Sequence, residues 1–259
     1  MGAWLRGVAA ACALWLAAAP GMARDAPVIA AAADLQPALE ELAEAFHRRT
    51  GHRVRPSFGS TGNFARQIRA GAPFELFMAA DESFVLDLHR DGFTLDEGRL
   101  YAVGRLALLL PRDSALQADG SLADLRARLA DGTVRRFAIA NPEHAPYGMR
   151  AEEALRRAGL WEAIQPHLVY GENVSQAAQF ALSGNADGGL VAYSLVHAPR
   201  MAARGRHALV PADLHAPLRQ RMALIRGAGP VARAFHDYLD EPEARAVLAR
   251  HGFEVPGAD

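Results

Sequence analysis

Asn141-Pro142-Glu143-His144-Ala145-Pro146-Tyr147-Gly148 joins the apolar run Arg136-Phe137-Ala138-Ile139-Ala140 to an amphipathic pattern from Met149 to Ala158. The run reads as a buried strand and the pattern as a helix. Two prolines and a glycine stiffen the connection just where the helix begins. The first N–H groups of a helix have no internal partners and lie at the positive end of its dipole. A stiff loop that aims them into a cleft makes a receptor for an anion.

Working outward, the same strand-to-helix junction recurs. Ala33-Asp34-Leu35 follows the strand Val28 to Ala32, and Gly59-Ser60-Thr61-Gly62-Asn63 follows Val54 to Phe58. Glu172-Asn173-Val174-Ser175 opens a helix running to Ser183, and Tyr193 follows the strand Gly189 to Ala192. Together these loops offer hydroxyls and main-chain N–H groups, with no lysine or arginine required. Such a site holds an oxyanion with neutral dipoles fixed in place and shielded from water.

Apolar strands alternating with amphipathic helices define an α/β chain. A third strand, Phe74 to Ala80, delivers Asp81, and a helix covers Ser83 to Arg90. Late elements are the strand Arg221 to Ile225 and the helices Val231 to Leu239 and Glu243 to Arg250. No repeat or low-complexity linker separates the two halves, so the chain should pass between two lobes along ordered strands. Tyr101 to Leu110 and Arg221 to Ile225 are the expected crossings, with residues 24–102 plus 222–259 in one lobe and 103–221 in the other. A cleft then lies between the lobes, where the carboxyl ends of strands converge.

The first 23 residues read as a secretory signal peptide. Arg6 precedes an apolar run from Gly7 to Ala19, broken by Pro20-Gly21, and Gly21-Met22-Ala23 is a small-x-small cleavage site. The run is too short for an ordinary membrane span. Cleavage near Ala23 also removes Cys12, the one cysteine. The exported chain therefore has no disulfide and depends on its hydrophobic core. The whole chain holds 28 basic and 29 acidic residues, a net charge of −1. Without Arg6 the balance is 27 against 29, or −2. That excludes nucleic acid and an anionic membrane surface as main partners. Every basic residue is an arginine.

Set side by side, Ala31-Ala32-Ala33-x-Leu35, Ser57-Phe58-Gly59-Ser60-Thr61-Gly62, Gly71-Ala72-Pro73-Phe74-Glu75-Leu76-Phe77-Met78-Ala79-Ala80-Asp81, the Asn141–Gly148 segment and Tyr238-Leu239 carry a resemblance. Over residues 26 to 254 the chain resembles the periplasmic molybdate-binding proteins of ABC importers. The resemblance implies a type II periplasmic-binding-protein fold, two α/β lobes joined by two strand crossovers and closing on molybdate or tungstate. It implies no cofactor beyond that ligand, a periplasmic location, an inner-membrane ABC permease as partner and a monomeric protein. Carried over by position, the ligand contacts are residue 34, the hydroxyl and N–H of Thr61, the N–H of Tyr147, the N–H of Val174 and the hydroxyl of Tyr193. Ser60, beside Thr61, is positioned to share its role.

One position departs from the family pattern, which has serine where this chain has Asp34. An ionised carboxylate repels an oxyanion. Two like charges about 4 Å apart cost roughly 4 kcal/mol at an effective dielectric near 20, close to a thousandfold in affinity. Four resolutions are open. Asp34 is protonated with ligand bound, or an arginine such as Arg66 or Arg150 neutralises it. Alternatively the carboxylate coordinates the metal centre itself, or the cargo is another oxyanion or a cation complex.

Ordinary readings stand beside these. Aspartate is a preferred helix N-cap, and an apolar-periodic helix begins directly after Asp34. Asp81 caps the next helix in the same way. Tyr193 alone reads as a core or rim aromatic. His144 has no second histidine at ligand spacing and reads as stabilising its loop. An exported enzyme on the same fold is the remaining class. It is disfavoured by the missing nucleophile elbow, the missing cysteine and the absence of a His/carboxylate pair near Ser60 or Thr61.

Overall fold

Near-continuous burial of Val28–Ala32, which forms β1, marks it as an interior strand covered on both faces. The computed structural model describes residues 26–257; the expected signal peptide lies outside them. After β1 come a 3₁₀ turn at Ala33–Leu35, α1 (Gln36–Thr50), β2 (Arg55–Gly59), α2 (Thr61–Arg69), β3 (Phe74–Ala79), α3 (Glu82–Arg90) and β4 (Arg99–Gly104). The second set is β5 (Leu106–Pro111), α4 (Ala123–Ala130), β6 (Phe137–Ala140), α5 (Pro146–Arg157), α6 (Trp161–Ile164), β7 (Leu168–Gly171), α7 (Val174–Ala181), β8 (Gly188–Ala192), α8 (Tyr193–Val196), α9 (Pro199–Ala202) and β9 (Gly205–Leu209). The chain closes with β10 (Leu218–Leu224), α10 (Pro230–Tyr238) and α11 (Pro242–Arg250).

These strands build two five-stranded sheets, in the orders β2-β1-β3-β10-β4 and β7-β6-β8-β5-β9. In each, three parallel strands stand beside one antiparallel strand that arrives from the other sheet. The first crossing is abrupt and falls two residues past the expected boundary at 102/103, since Val103 and Gly104 pair within the first sheet: β4 ends at Gly104 and β5 starts at Leu106. The return falls earlier than the expected boundary at 221/222. Leu218 already pairs with Gly104 and Gln220 with Ala102, so residues 218–221 belong to the first sheet. Exposed Arg219 and half-exposed Arg221 alternate with buried Leu218 and Gln220, which hid the start of this strand from an apolar-run reading.

Alternation on the first sheet feeds two cores. Ile29, Ala31, Leu76 and Met78 pack with α1, α10 and α11 through Leu39, Leu42, Phe46, Phe235 and Leu248. Ala30, Phe77 and Ala79 face Phe64, Ile68, Val85 and Leu88 of α2 and α3. The second sheet has its own core, which also takes in Ala32, Ala33 and Ala80 from the first lobe. Small alanines therefore form the seam where the lobes meet, and they let backbone from both sides approach.

Three helices begin earlier than their apolar patterns suggested. Ser60 caps α2, its Oγ accepting from the Asn63 N–H at 3.4 Å. Asn173 caps α7 through the Gln176 N–H at 3.0 Å. Pro146 opens α5, where its lack of an N–H costs nothing. Asp34, in contrast, is no N-cap. It lies inside the 3₁₀ turn, whose cap position is Ala32 and which has no side-chain cap.

Candidate functional site

Strand-to-helix junctions from both lobes bring their ends to the seam, and twelve residues enclose one small cavity there. From the first lobe come Ala32, Ala33, Asp34, Gly59, Ser60, Thr61 and Ala80; from the second, Ala145, Pro146, Tyr147, Asn173 and Val174. The cavity's volume is about 10 Å³, space for about one water molecule. Larger hollows of about 710 and 270 Å³ lie elsewhere, around Ala26, Gly51, Glu75 and Gly229 and along α1. They collect no strand ends of the second lobe.

The lining is rich in unspent donors. Tyr147 and Val174 occupy the first turns of α5 and α7, where N–H groups find no intrahelical partner. Thr61 opens α2 in the same way, and its Oγ accepts from the Ala80 N–H at 3.0 Å, leaving the hydroxyl proton for another acceptor. Ser60 Oγ stands 2.9 Å from His144 Nδ1. Tyr193 does not join them. Its N–H donates to the Arg105 carbonyl, and its ring packs edge-on against His197, 4.4 Å between centroids, and near His207. Tyr193, the expected ligand hydroxyl, is not among the lining residues: β8 ends at Ala192, and in the first turn of α8 its ring packs against His197 and His207.

Asp34 is the one carboxylate on the cavity wall and is 1% exposed. Its Oδ2 accepts from the Tyr147 hydroxyl at 3.1 Å and from Gln220 Nε2 at 2.6 Å. Tyr101 in turn donates to Gln220 Oε1 at 2.8 Å. The other oxygen, Oδ1, is buried with no hydrogen-bond partner among the described residues. Burial pushes the carboxyl up to about 6, against the opposing pull of Gln220, Tyr147 and the N–H groups of Asp34 and Leu35. The arginines expected to neutralise it do not. Arg66 bonds Asn63, and Arg150 pairs with Asp81 at 2.8 Å and Glu153 at 3.1 Å.

Gln220, Tyr101 and Gly104 form a part of the site that the sequence reading missed. A Cβ on Gly104 would lie 2.2 Å from the Tyr147 hydroxyl and 2.8 Å from Gln220 Nε2, so glycine is required for that hydroxyl to reach across. A glutamine set between two arginines in a strand was the available signal, a polar side chain on the inward-facing parity.

Contacts around the rim tie the lobes together. Gly62 N–H donates to the His144 carbonyl at 2.9 Å, Ser175 Oγ to the Ala33 carbonyl at 2.9 Å and Ser194 Oγ to the Asp34 carbonyl at 2.9 Å. Asn63 bonds Glu172, whose carboxylate is 3.7 Å from His144 Nε2. The sequence reading found no His/carboxylate pair near Ser60, yet the fold assembles one. Glu172 is largely exposed and beyond hydrogen-bond reach of the ring, while Ser60 is engaged as a helix cap. The trio works as a clasp between lobes.

Two lobes, two crossings and a small donor-lined cavity at their seam define a two-lobed solute-binding protein. Comparison with known proteins agrees: residues 27–254 match the family described as bacterial extracellular solute-binding protein. The chain belongs to that family. It is 39% identical over 228 residues to the molybdate-binding protein ModA of Azotobacter vinelandii, covering 87% of this chain and 88% of that protein. To the ModA of Rhodobacter capsulatus it is 35% identical over 252 residues, with 96% of each covered. The solved structure of the Azotobacter vinelandii periplasmic molybdate-binding protein superimposes with a TM-score of 0.81 at 31% identity, covering 89% of this chain and 99% of that one. These relatives are binding proteins, not enzymes.

Proposed function

We propose that this protein captures molybdate outside the cytoplasm and presents it to an ABC importer, acting as a monomer without a cofactor. The observation that carries the reading is the convergence of Thr61, Tyr147 and Val174 on one cavity at the lobe seam, in a chain of ModA-like sequence. The donors proposed for the anion are the Thr61 hydroxyl and N–H and the N–H groups of Tyr147 and Val174, with Ser60 beside them and Asp34 closing the wall. Tungstate, of the same shape and charge, is taken as well. Lobe closure expels water and strengthens each of these bonds. The closed form is the one offered to the permease.

A second reading keeps the fold and changes the cargo to another oxyanion or a cation complex held directly by Asp34, whose free Oδ1 favours it. Against a cation, no group of three or more His, Cys, Asp or Glu side chains among the described residues is arranged to hold a metal ion. Calorimetric titration of the mature chain decides between them. Molybdate and tungstate should bind at one site, with sulfate and phosphate far weaker. Tight binding of a ferric or divalent ion, with none of molybdate, would overturn the reading.

A further inference from the structure

The donor-lined cavity contains a contradiction: its lining includes a buried carboxylate beside donors suited to an anion. From the free oxygen of Asp34 and the engagement of its other oxygen, we infer that the protein binds its anion together with one proton, held between Asp34 Oδ1 and the nearest ligand oxygen. This rests on the oxyanion reading above and makes Asp34 a donor within it.

The geometry assigns the two carboxyl oxygens different tasks. Oδ2 is saturated as an acceptor by Tyr147 from α5 and Gln220 from β10. The Gln220 amide N–H can only donate to it, and the Tyr147 hydroxyl accepts from that same amide at 3.4 Å, which leaves the phenol's proton for Oδ2. A proton on this carboxyl therefore belongs on Oδ1, which is buried and makes no hydrogen bond among the described residues; the N–H groups of Asp34 and Leu35 lie near the carboxyl and oppose protonation, but burial outweighs them. No cation stands in for that proton. The cavity lining holds no arginine, lysine or histidine, and the groups facing Asp34 from β4, α5 and β10 are Tyr101, Tyr147 and Gln220. Burial and the neighbouring carboxylate push both phenols well above their ordinary range, so they remain neutral. From α7 and α8 come Ser175 and Ser194, which bond carbonyls of the turn rather than the carboxylate. His144 is the histidine of the clasp and reaches the cavity through Ser60.

Without ligand the carboxyl already sits near 6. An arriving dianion disfavours the ionised form further. Above that value the site must draw a proton from solvent each time it fills. The O–H bond formed at Oδ1 is the one new bond, and the ligand oxygen accepts from it. Affinity then falls as pH rises, approaching tenfold per pH unit. The substitution Asp34→Asn supplies a neutral mimic of the protonated acid: the amide's carbonyl oxygen accepts from Tyr147 and Gln220 while its N–H groups donate into the cavity.

The test is calorimetric titration of the mature protein with molybdate from pH 6 to 9, in buffers of differing ionisation enthalpy, for the unmodified chain, Asp34→Asn and Asp34→Ser. The expected result is uptake of nearly one proton per anion at pH 8 and an affinity that falls toward tenfold per pH unit. Both variants should show no uptake and a nearly flat profile, binding more tightly than the unmodified chain at pH 9. If the unmodified chain binds molybdate with a flat profile and no uptake, the inference fails while the oxyanion reading stands. It also fails if its pH dependence persists in both variants, since a group other than Asp34 would then be titrating. If neither the unmodified chain nor the variants bind any oxyanion at any pH, both fall.

Discussion

Asp34 is 1% exposed, and its effect on stability has a definite sign. An aspartate raised from 3.8 to about 6 binds a proton in the folded chain that the unfolded chain has already shed. Folding stability therefore falls as pH climbs through that window and stays lowered above it. At 1.36 kcal/mol per pH unit the penalty is about 3 kcal/mol in order of magnitude. Asp34→Asn should be nearly neutral below pH 4 and stabilising above pH 6 by up to that amount, as read by urea unfolding across the range. An effect of equal size at pH 4 and pH 8 would mean that the carboxyl is not the titrating group. At Tyr193, whose ring lies against His197, replacement by Phe should leave molybdate affinity within about 0.5 kcal/mol of the unmodified value. Residue type and position along the chain marked Tyr193 as a candidate; the direction of its ring could not be read, because it depends on how α8 leaves the strand.

Among the elements, the loops feeding the helices were the most legible. Asn141–Gly148 and Gly59–Asn63 each announced a strand meeting a helix and Glu172–Ser175 a helix start, and all three reach the seam. Their exact starts were hidden, because capping by Ser60 and Asn173 is a side-chain event that apolar periodicity does not record. Edge strands β7 and β9 were also hidden: the apolar run of β7, Leu168-Val169-Tyr170, is only three residues long, and Gly205–Leu209 carries no apolar run at all. At the start of α2, Gly62 meets the second lobe so closely that a Cβ would lie 2.7 Å from the His144 carbonyl oxygen. Gly62→Ala should obstruct closure and weaken molybdate binding by about 1–3 kcal/mol, the usual cost of overpacking. Stability without ligand should not fall, because alanine is the better helix former by roughly 1 kcal/mol. Titration together with a melting curve separates the two effects. Loss of both would point to misfolding rather than blocked closure.

For the whole molecule, the two-lobed architecture followed from alternating strands and helices with no spacer, and the crossing at Gly104–Leu106 was legible as one long apolar segment. The return at Leu218 was not, because arginines on the exposed parity of β10 interrupt its hydrophobic pattern. The Tyr101–Gln220–Asp34–Tyr147 chain was illegible for a related reason. It joins four distant positions that become neighbours only when both crossings lie side by side. Since both lobes contribute to one cavity, ligand should stabilise the molecule as a unit. At a hundredfold excess over Kd the gain is about 2.7 kcal/mol, seen as a rise in Tm with molybdate and far less with sulfate. On the proposed reading, uncharged donors from both lobes surround the anion. Diffraction from molybdate-soaked crystals at the molybdenum absorption edge tests it most directly. A single anomalous peak is expected in the cavity between Asp34, Thr61, Tyr147 and Val174; a peak in the hollow beside Glu75 and Gly229, or no peak at the seam, would rule out that placement.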